Sequence, residues 1–189
     1  MNSSKLLLTR GRYALIRIGF VSLFWTISVL VPTTTSEAEG DFLTEPELFL
    51  QHVFDSSNPD QGMVWLTGEK MNTATSILGH QPNFMRIRYW GDASRSAWIV
   101  DEIGKTEPIT IGIVVSGNAI EEVRVLAFRE SRGWEIKHDF FTRQFVGVSL
   151  TEERGLTQTI DGISGATLSV RAMRNVSRLI LYLSQSLAG

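Results

Sequence analysis

ITIGIVVSGNAIEEVRVLAF, residues 109–128, is the stretch from which the fold is read. Ile109, Ile111, Ile113 and Val115 recur at every second position up to Ser116-Gly117-Asn118-Ala119, and Val123 and Val125 return in phase between Ile120 and Phe128. A period of two on either side of a short Gly-Asn turn describes a β-hairpin. Upstream, Met85, Ile87 and Tyr89 alternate with Arg86 and Arg88, a strand with one buried face, and residues 97–103 form another candidate strand. Downstream, Met173, Val176, Leu179, Ile180, Leu183 and Leu187 follow helical spacing within residues 168–187. Strands followed by a helix, without βαβ alternation, predict an α+β domain: an antiparallel sheet with the C-terminal helix packed on one face.

Less regular segments lie between these elements. Residues 130–133 are a polar break, and residues 140–148 are rich in aromatics without a clean period, which reads as loop with at most one helical turn. Within it, Phe140, Phe141 and Phe145 read most simply as core. Nearer the N-terminus, Thr44-Glu45-Pro46-Glu47 has the Thr-x-x-Glu pattern of a capping box, so a short helix to about Phe54 is expected. A loop over residues 56–62 and a short apolar run, 63–66, come next. Thr67 is then positioned to cap a second helix, which Gly79 would end.

The first 38 residues have a character of their own. Lys5, Arg10, Arg12 and Arg17 precede residues 18–31, an uncharged and mainly apolar run that ends at Pro32. A bilayer span needs about 20 apolar residues, whereas a basic segment, a shorter apolar core and the small-x-small site Ser36-Glu37-Ala38 describe a secretory signal. The alternative is an uncleaved anchor reaching back through Tyr13 and Ala14. Either way the chain beyond residue 38 is expected to be exported. The expected organisation is signal or membrane anchor over 1–38, polar tether and N-terminal helical region over 39–83, and the main domain over 84–189.

Without residues 1–38, which hold four of the 18 basic and one of the 20 acidic residues, the chain keeps 14 basic against 19 acidic side chains. A mildly acidic domain has no electrostatic footprint for nucleic acid, so no nucleic-acid partner is expected. The chain has no cysteine, hence no disulfide and no thiolate ligand. His52, His80 and His138 are far apart and form no zinc-ligand spacing, so no metal is expected. Redox chemistry in such a chain needs a cofactor.

One segment concentrates small and hydroxyl residues before the closing helix: DGISGATLS, Asp161 to Ser169. A nucleophile elbow needs GxSxG, but Ala166 stands where the second glycine belongs. A dinucleotide fingerprint needs a second strand and an acid about 20 residues on, and the residues after Thr167 are helical in pattern. A P-loop needs Gly-Lys-Ser/Thr, and no lysine follows Lys137. What remains is an anion site: small residues open the backbone, and the first N–H groups of the helix, at Thr167, Leu168 and Ser169, favour a phosphate. Arg171 and Arg174 in the first turns, with no acid, oppose the helix dipole, and a bound phosphate would offset that cost. The plainer alternative is a solvated basic face capped by Ser169.

Here the residues resemble a family. Asp161, Ser164, Gly165, Ala166 and Thr167 match D-x-x-S/T-G-A-T, the flavinylation motif of the FMN-binding domain, and Ser169 falls on a position that is often Ser. That domain is found in the extracytoplasmic flavin subunits of the sodium-pumping NADH:quinone reductase and of Rnf complexes, and in small single-domain relatives. The resemblance covers roughly residues 84–183. Glu130-Ser131-Arg132-Gly133-Trp134 aligns with the family's Glu-Thr-Pro-Gly-Leu loop, which lies against the flavin, and Gly-aromatic-Glu followed by Phe-x-x-Gln-Phe, Phe141 to Phe145, is similar to the single-domain members. Arg132 and Trp134 depart from the pump-type pattern.

The resemblance implies FMN esterified to Thr167 by a separate magnesium-dependent flavin transferase with FAD as donor, and a flavin-binding role for Asp161, Ser164, Gly165, Ala166, Leu168, Ser169, Glu130, Ser131, Gly133 and Trp134. Trp134 then stacks on the isoalloxazine or is a core tryptophan at a strand end. Glu130 accepts from a flavin N–H, pairs with Arg132, or is a solvated charge. The implied function is an exported, membrane-associated electron carrier or redox subunit, served by the transferase and a membrane redox partner, rather than a stand-alone oxidoreductase. Two alternatives remain: an exported module that binds a phosphate-bearing ligand or a partner protein without covalent flavin, and a flavin reductase with exchangeable FMN.

Overall fold

The structure is a computed structural model that describes residues 46–187 apart from 56 and 93; the signal or anchor expected over 1–38 lies outside the described residues. Among the described residues no helix is long and apolar enough to cross a membrane. The described chain runs α1 (Pro46–Phe54), β1 (Asp60–Trp65), α2 (Glu69–Leu78), β2 (Arg86–Gly91), β3 (Arg95–Ile103), β4 (Pro108–Ser116), β5 (Ala119–Phe128), α3 (Asp139–Thr142) and α4 (Thr167–Gln185). The strands form one antiparallel sheet in the order β1-β2-β3-β4-β5. The α+β architecture with a C-terminal helix on an antiparallel sheet is therefore as the hydrophobic pattern indicates.

The hairpin is closed by Gly117-Asn118, with Ser116 opposite Ala119 and Gly117 at φ +57°, the positive value that a two-residue hairpin turn demands. Ile109, Ile111, Ile113 and Val115 on β4 and Val123 and Val125 on β5 face α4, whose Met173, Val176, Leu179, Ile180 and Leu183 complete the main core. Helix α4 also packs on α2: Asn175 Nδ2 donates to the Leu78 carbonyl at 3.0 Å and Arg178 Nη1 to the Ile77 carbonyl at 3.4 Å, pairing carbonyls that the end of α2 leaves open.

The opposite face is not bare. Phe49, Val53 and Phe54 of α1 pack there with Ala97, Val114 and Leu126. The period-two pattern of β4 is thus laid over a strand buried from Ile109 to Val115 on both sides.

Three local expectations change. The apolar run 63–66 belongs to a strand: β1 begins at Asp60 and pairs with β2, Val64 opposite Ile87. Thr67 does not cap α2; Gly68 occupies the N-cap at φ 53° with no side-chain cap bond, while Gly79 ends the helix in the left-handed conformation as expected. The aromatic stretch after β5 holds three consecutive short turns, the 3-10 turn Trp134–Lys137, α3 and the 3-10 turn Arg143–Phe145.

Candidate functional site

The site is assembled from two segments about thirty residues apart in sequence. In the first, the Ala166 N–H donates to the Ile163 carbonyl at 3.0 Å and closes a turn with Ser164 and Gly165 at its centre. Gly165 takes φ +84°, the left-handed value that favours glycine at the third position of such a turn. Asp161, Ser164 and Gly165 are exposed.

Helix α4 starts immediately afterwards. Its N-cap is Ala166, which has no side chain able to cap, and the first helical bond runs from the Val170 N–H to the Ala166 carbonyl at 2.9 Å. The N–H groups of Thr167, Leu168 and Ser169 therefore have no acceptor among the described residues. Ser169, the cap in the plainer alternative, is instead buried inside the first turn, and Leu168 is partly buried. Thr167 is exposed, so its hydroxyl stands at the positive end of a 19-residue helix with no acid in its first turn.

The second segment comes after β5. Gly133 sits at φ +87° and starts the 3-10 turn Trp134–Lys137. A Cβ on Gly133 would lie 2.9 Å from the Ala166 Cβ and 3.7 Å from Ser169 Oγ, so the glycine lets the two segments touch. Trp134, next to Gly133, is not a core tryptophan: it is 55% exposed and meets the His138 ring edge-on with centroids 4.9 Å apart. His138 stacks in turn with Phe140 at 6.0 Å. Phe140 is 63% exposed, so only Phe141 and Phe145 of the three phenylalanines expected as core are buried there. Ser131 and Arg132 are exposed beside them.

Glu130 points elsewhere. Its Oε1 accepts the N–H groups of Lys105, Thr106 and Glu107 at 2.5, 2.7 and 3.0 Å, and its Oε2 accepts Thr106 Oγ1–H at 3.1 Å. These bonds, the one from Glu107 foremost, hold the carboxyl down to about 2 from the usual 4.5. Glu130 thus clamps the β3–β4 turn rather than pairing with Arg132. Gly104 leaves the space, since a Cβ there would lie 3.1 Å from Glu130 Oε1.

Gln144 has no role legible in the sequence beyond its place in Phe-x-x-Gln-Phe. The structure gives it one: Gln144 Oε1 accepts the Asp161 N–H at 2.7 Å, and its main-chain carbonyl accepts Gln158 Nε2–H at 3.2 Å. The intervening excursion folds back on itself through the Leu150–Leu156 bridge and the Thr157 N–H to Ser149 carbonyl bond at 2.9 Å. That return brings residues 158–161 beside Gln144, and no residue spacing announces it.

The surroundings are cationic. Arg171 and Arg174 are exposed one and two turns into α4. Facing Arg171, His80 has both ring nitrogens on acceptors, Nδ1 on the Gln81 carbonyl at 3.0 Å and Nε2 on Glu102 Oε1 at 2.9 Å. The Gln81 bond leads the causes that raise the pKa of His80, against the opposing influence of Arg171. Among the described residues no three of His, Asp or Glu gather in a group able to hold a metal ion.

Comparison with known proteins bears on this geometry. A search of curated proteins finds no match to the chain. The model of the FMN-binding domain matches residues 104–181, a span that starts in the turn clamped by Glu130 and contains both segments of the site. Residues 104–181 of this chain are thus similar to the FMN-binding domain, a match that supports FMN as its cofactor.

Proposed function

We propose that the protein is an exported electron-transfer flavoprotein that carries FMN as a phosphoester on Thr167. One observation carries this reading: the exposed Thr167 hydroxyl opens α4 beside three N–H groups without an acceptor among the described residues, and Gly133, next in sequence to the exposed Trp134, abuts Ala166 at the end of the turn. The residues fit the group. The N–H groups of Thr167, Leu168 and Ser169 and the positive end of α4 suit the phosphate, Gly165 and Gly133 permit its close approach, and the face of Trp134 suits an isoalloxazine, worth about 0.5–1.5 kcal/mol beyond burial.

In attachment Thr167 Oγ loses its proton to a base of the transferase and forms a bond to the FMN phosphorus of FAD. The phosphoanhydride bond breaks and AMP leaves with its electron pair. The domain contributes an oriented hydroxyl and an electrostatically prepared helix end; magnesium belongs to the transferase. Once bound, the flavin supplies the redox chemistry that a chain without cysteine lacks. Covalent attachment also frees occupancy from dependence on flavin concentration, an advantage outside the cytoplasm, where a dissociated cofactor is diluted away. The basic, apolar and small-residue pattern of residues 1–38 supports export, with electrons passed between a membrane redox partner and an extracytoplasmic acceptor.

Mass spectrometry of protein made together with a flavin transferase tests the attachment. The peptide containing Thr167 is expected to gain FMN less water, the yellow colour is expected to stay with acid-precipitated chain, and Thr167→Ala is expected to abolish both. An unmodified peptide and a colourless pellet would overturn the reading in favour of exchangeable FMN.

A further inference from the structure

The chain entering the attachment turn is held by a hydrogen bond ahead of the turn, from Gln144. Gln144 lies in a 3-10 turn flanked by Phe141 and Phe145, both fully buried with ring centroids 5.6 Å apart, so its own backbone is anchored in the core. From there its side chain holds the Asp161 N–H and its main chain holds the Gln158 side chain, with Ile160 buried between them. Beyond Asp161 only the partly buried Ile163 touches the core before Ala166 is buried in it, and the small residues around Ile163 are open. A Cβ at Gly162 or at Gly165 would meet nothing within 4 Å, and Asp161, Ser164 and Thr167 are all exposed. A segment with two glycines and open surroundings has many conformations to lose, and the tie at Asp161 limits them.

We infer that Gln144 is the positioning residue for FMN attachment: by holding Asp161 it fixes the point from which the turn Ile163–Ala166 presents the Thr167 hydroxyl. The inference rests on the covalent reading of Thr167. Gln144 acts through the backbone and takes no part in the transfer itself. The acceptor must reach across from a separate element, because the Asp161 N–H has no ladder partner of its own.

The experiment compares Gln144→Met, which keeps the length of the side chain and removes the acceptor, with Gln144→Glu, which keeps an Oε acceptor. Two quantities are read on the whole domain: hydrogen exchange at the Asp161 amide, and kcat/KM for attachment with purified transferase and FAD. Gln144→Met is expected to speed exchange at Asp161 about tenfold, with β4 and α4 amides unchanged, and to lower kcat/KM about tenfold, the upper range for one hydrogen bond. Gln144→Glu is expected to restore both to within about threefold of the original. Should Gln144→Met fail to fold, Gln144→Asn, which retracts the acceptor by one methylene, is expected to move both readouts in the same direction. If the original chain is modified and Gln144→Met is modified equally fast, or exchange at Asp161 is unchanged, the positioning role alone fails. If the original chain is never modified, the covalent reading fails and the positioning role with it.

Discussion

At the scale of single residues, the site depends on two glycines that share a backbone conformation and differ in surroundings. Gly165 at φ +84° has open space where a Cβ would go, so Gly165→Ala carries only the left-handed penalty of about 1 kcal/mol. Gly133 at φ +87° adds a Cβ contact of 2.9 Å with Ala166, so Gly133→Ala is expected to cost about 2–3 kcal/mol. Urea denaturation of the two variants checks the order. Glu130 gives a second residue-scale prediction, in pH. Its carboxyl is held down to about 2 from 4.5, so it stabilises the fold when ionised; that stabilisation is complete above about pH 4.5 and is lost as pH falls towards 2. Glu130→Gln is therefore expected to lower the urea midpoint at pH 7, and the gap between the two proteins is expected to shrink steadily below pH 4.5.

At the scale of elements, the hairpin and α4 were legible because their periods of two and 3.6 are carried by many residues, and packing then agrees with the local pattern. The short elements after β5 were not. A four-residue turn has too few positions to display a period, and which of its aromatic side chains is buried depends on where the neighbouring strand lies. Phe140 and Phe141, adjacent and alike, end on opposite sides of that division. The second face of the sheet depends on α1. A Cβ on Gly112 would lie 2.8 Å from the Phe49 ring, so the strand is smooth at that position to receive the helix. Phe49→Ala is expected to destabilise the domain by about 3–5 kcal/mol. Gly112→Ala is expected to cost about 1–3 kcal/mol in the original chain and clearly less beside Phe49→Ala, where the clash is relieved. A double-mutant cycle in chemical denaturation measures the difference.

At the scale of the whole molecule, the family match begins at residue 104, yet the sheet and its cover begin well before it. Strand β1 supplies an edge of the sheet, α2 packs on α4, and Leu66, Ala74, Ile77 and Leu78 are buried in the same core as Met173 and Leu179. A chain beginning at residue 84 would expose those contacts and the α1 face together. It is expected to lack the cooperative thermal unfolding of a chain that starts at residue 46, as differential scanning calorimetry would register. The exposed aromatic array of Trp134, His138 and Phe140 and the uncovered end of α4 stand on this shared frame.

Local physics in the chain was enough to establish the antiparallel hairpin and the closing helix and to single out the segment ending at Thr167 as a candidate anion site, because each depends on neighbours within a few positions. Folding decided the remainder. Gly133 meets Ala166, Gln144 meets Asp161, and Glu130 turns away from the site to clamp the β3–β4 turn, each across at least 17 residues. Such contacts arise from how strands and turns stack in space, and side-chain periodicity records only the direction in which a residue points, not the distant residue it will meet.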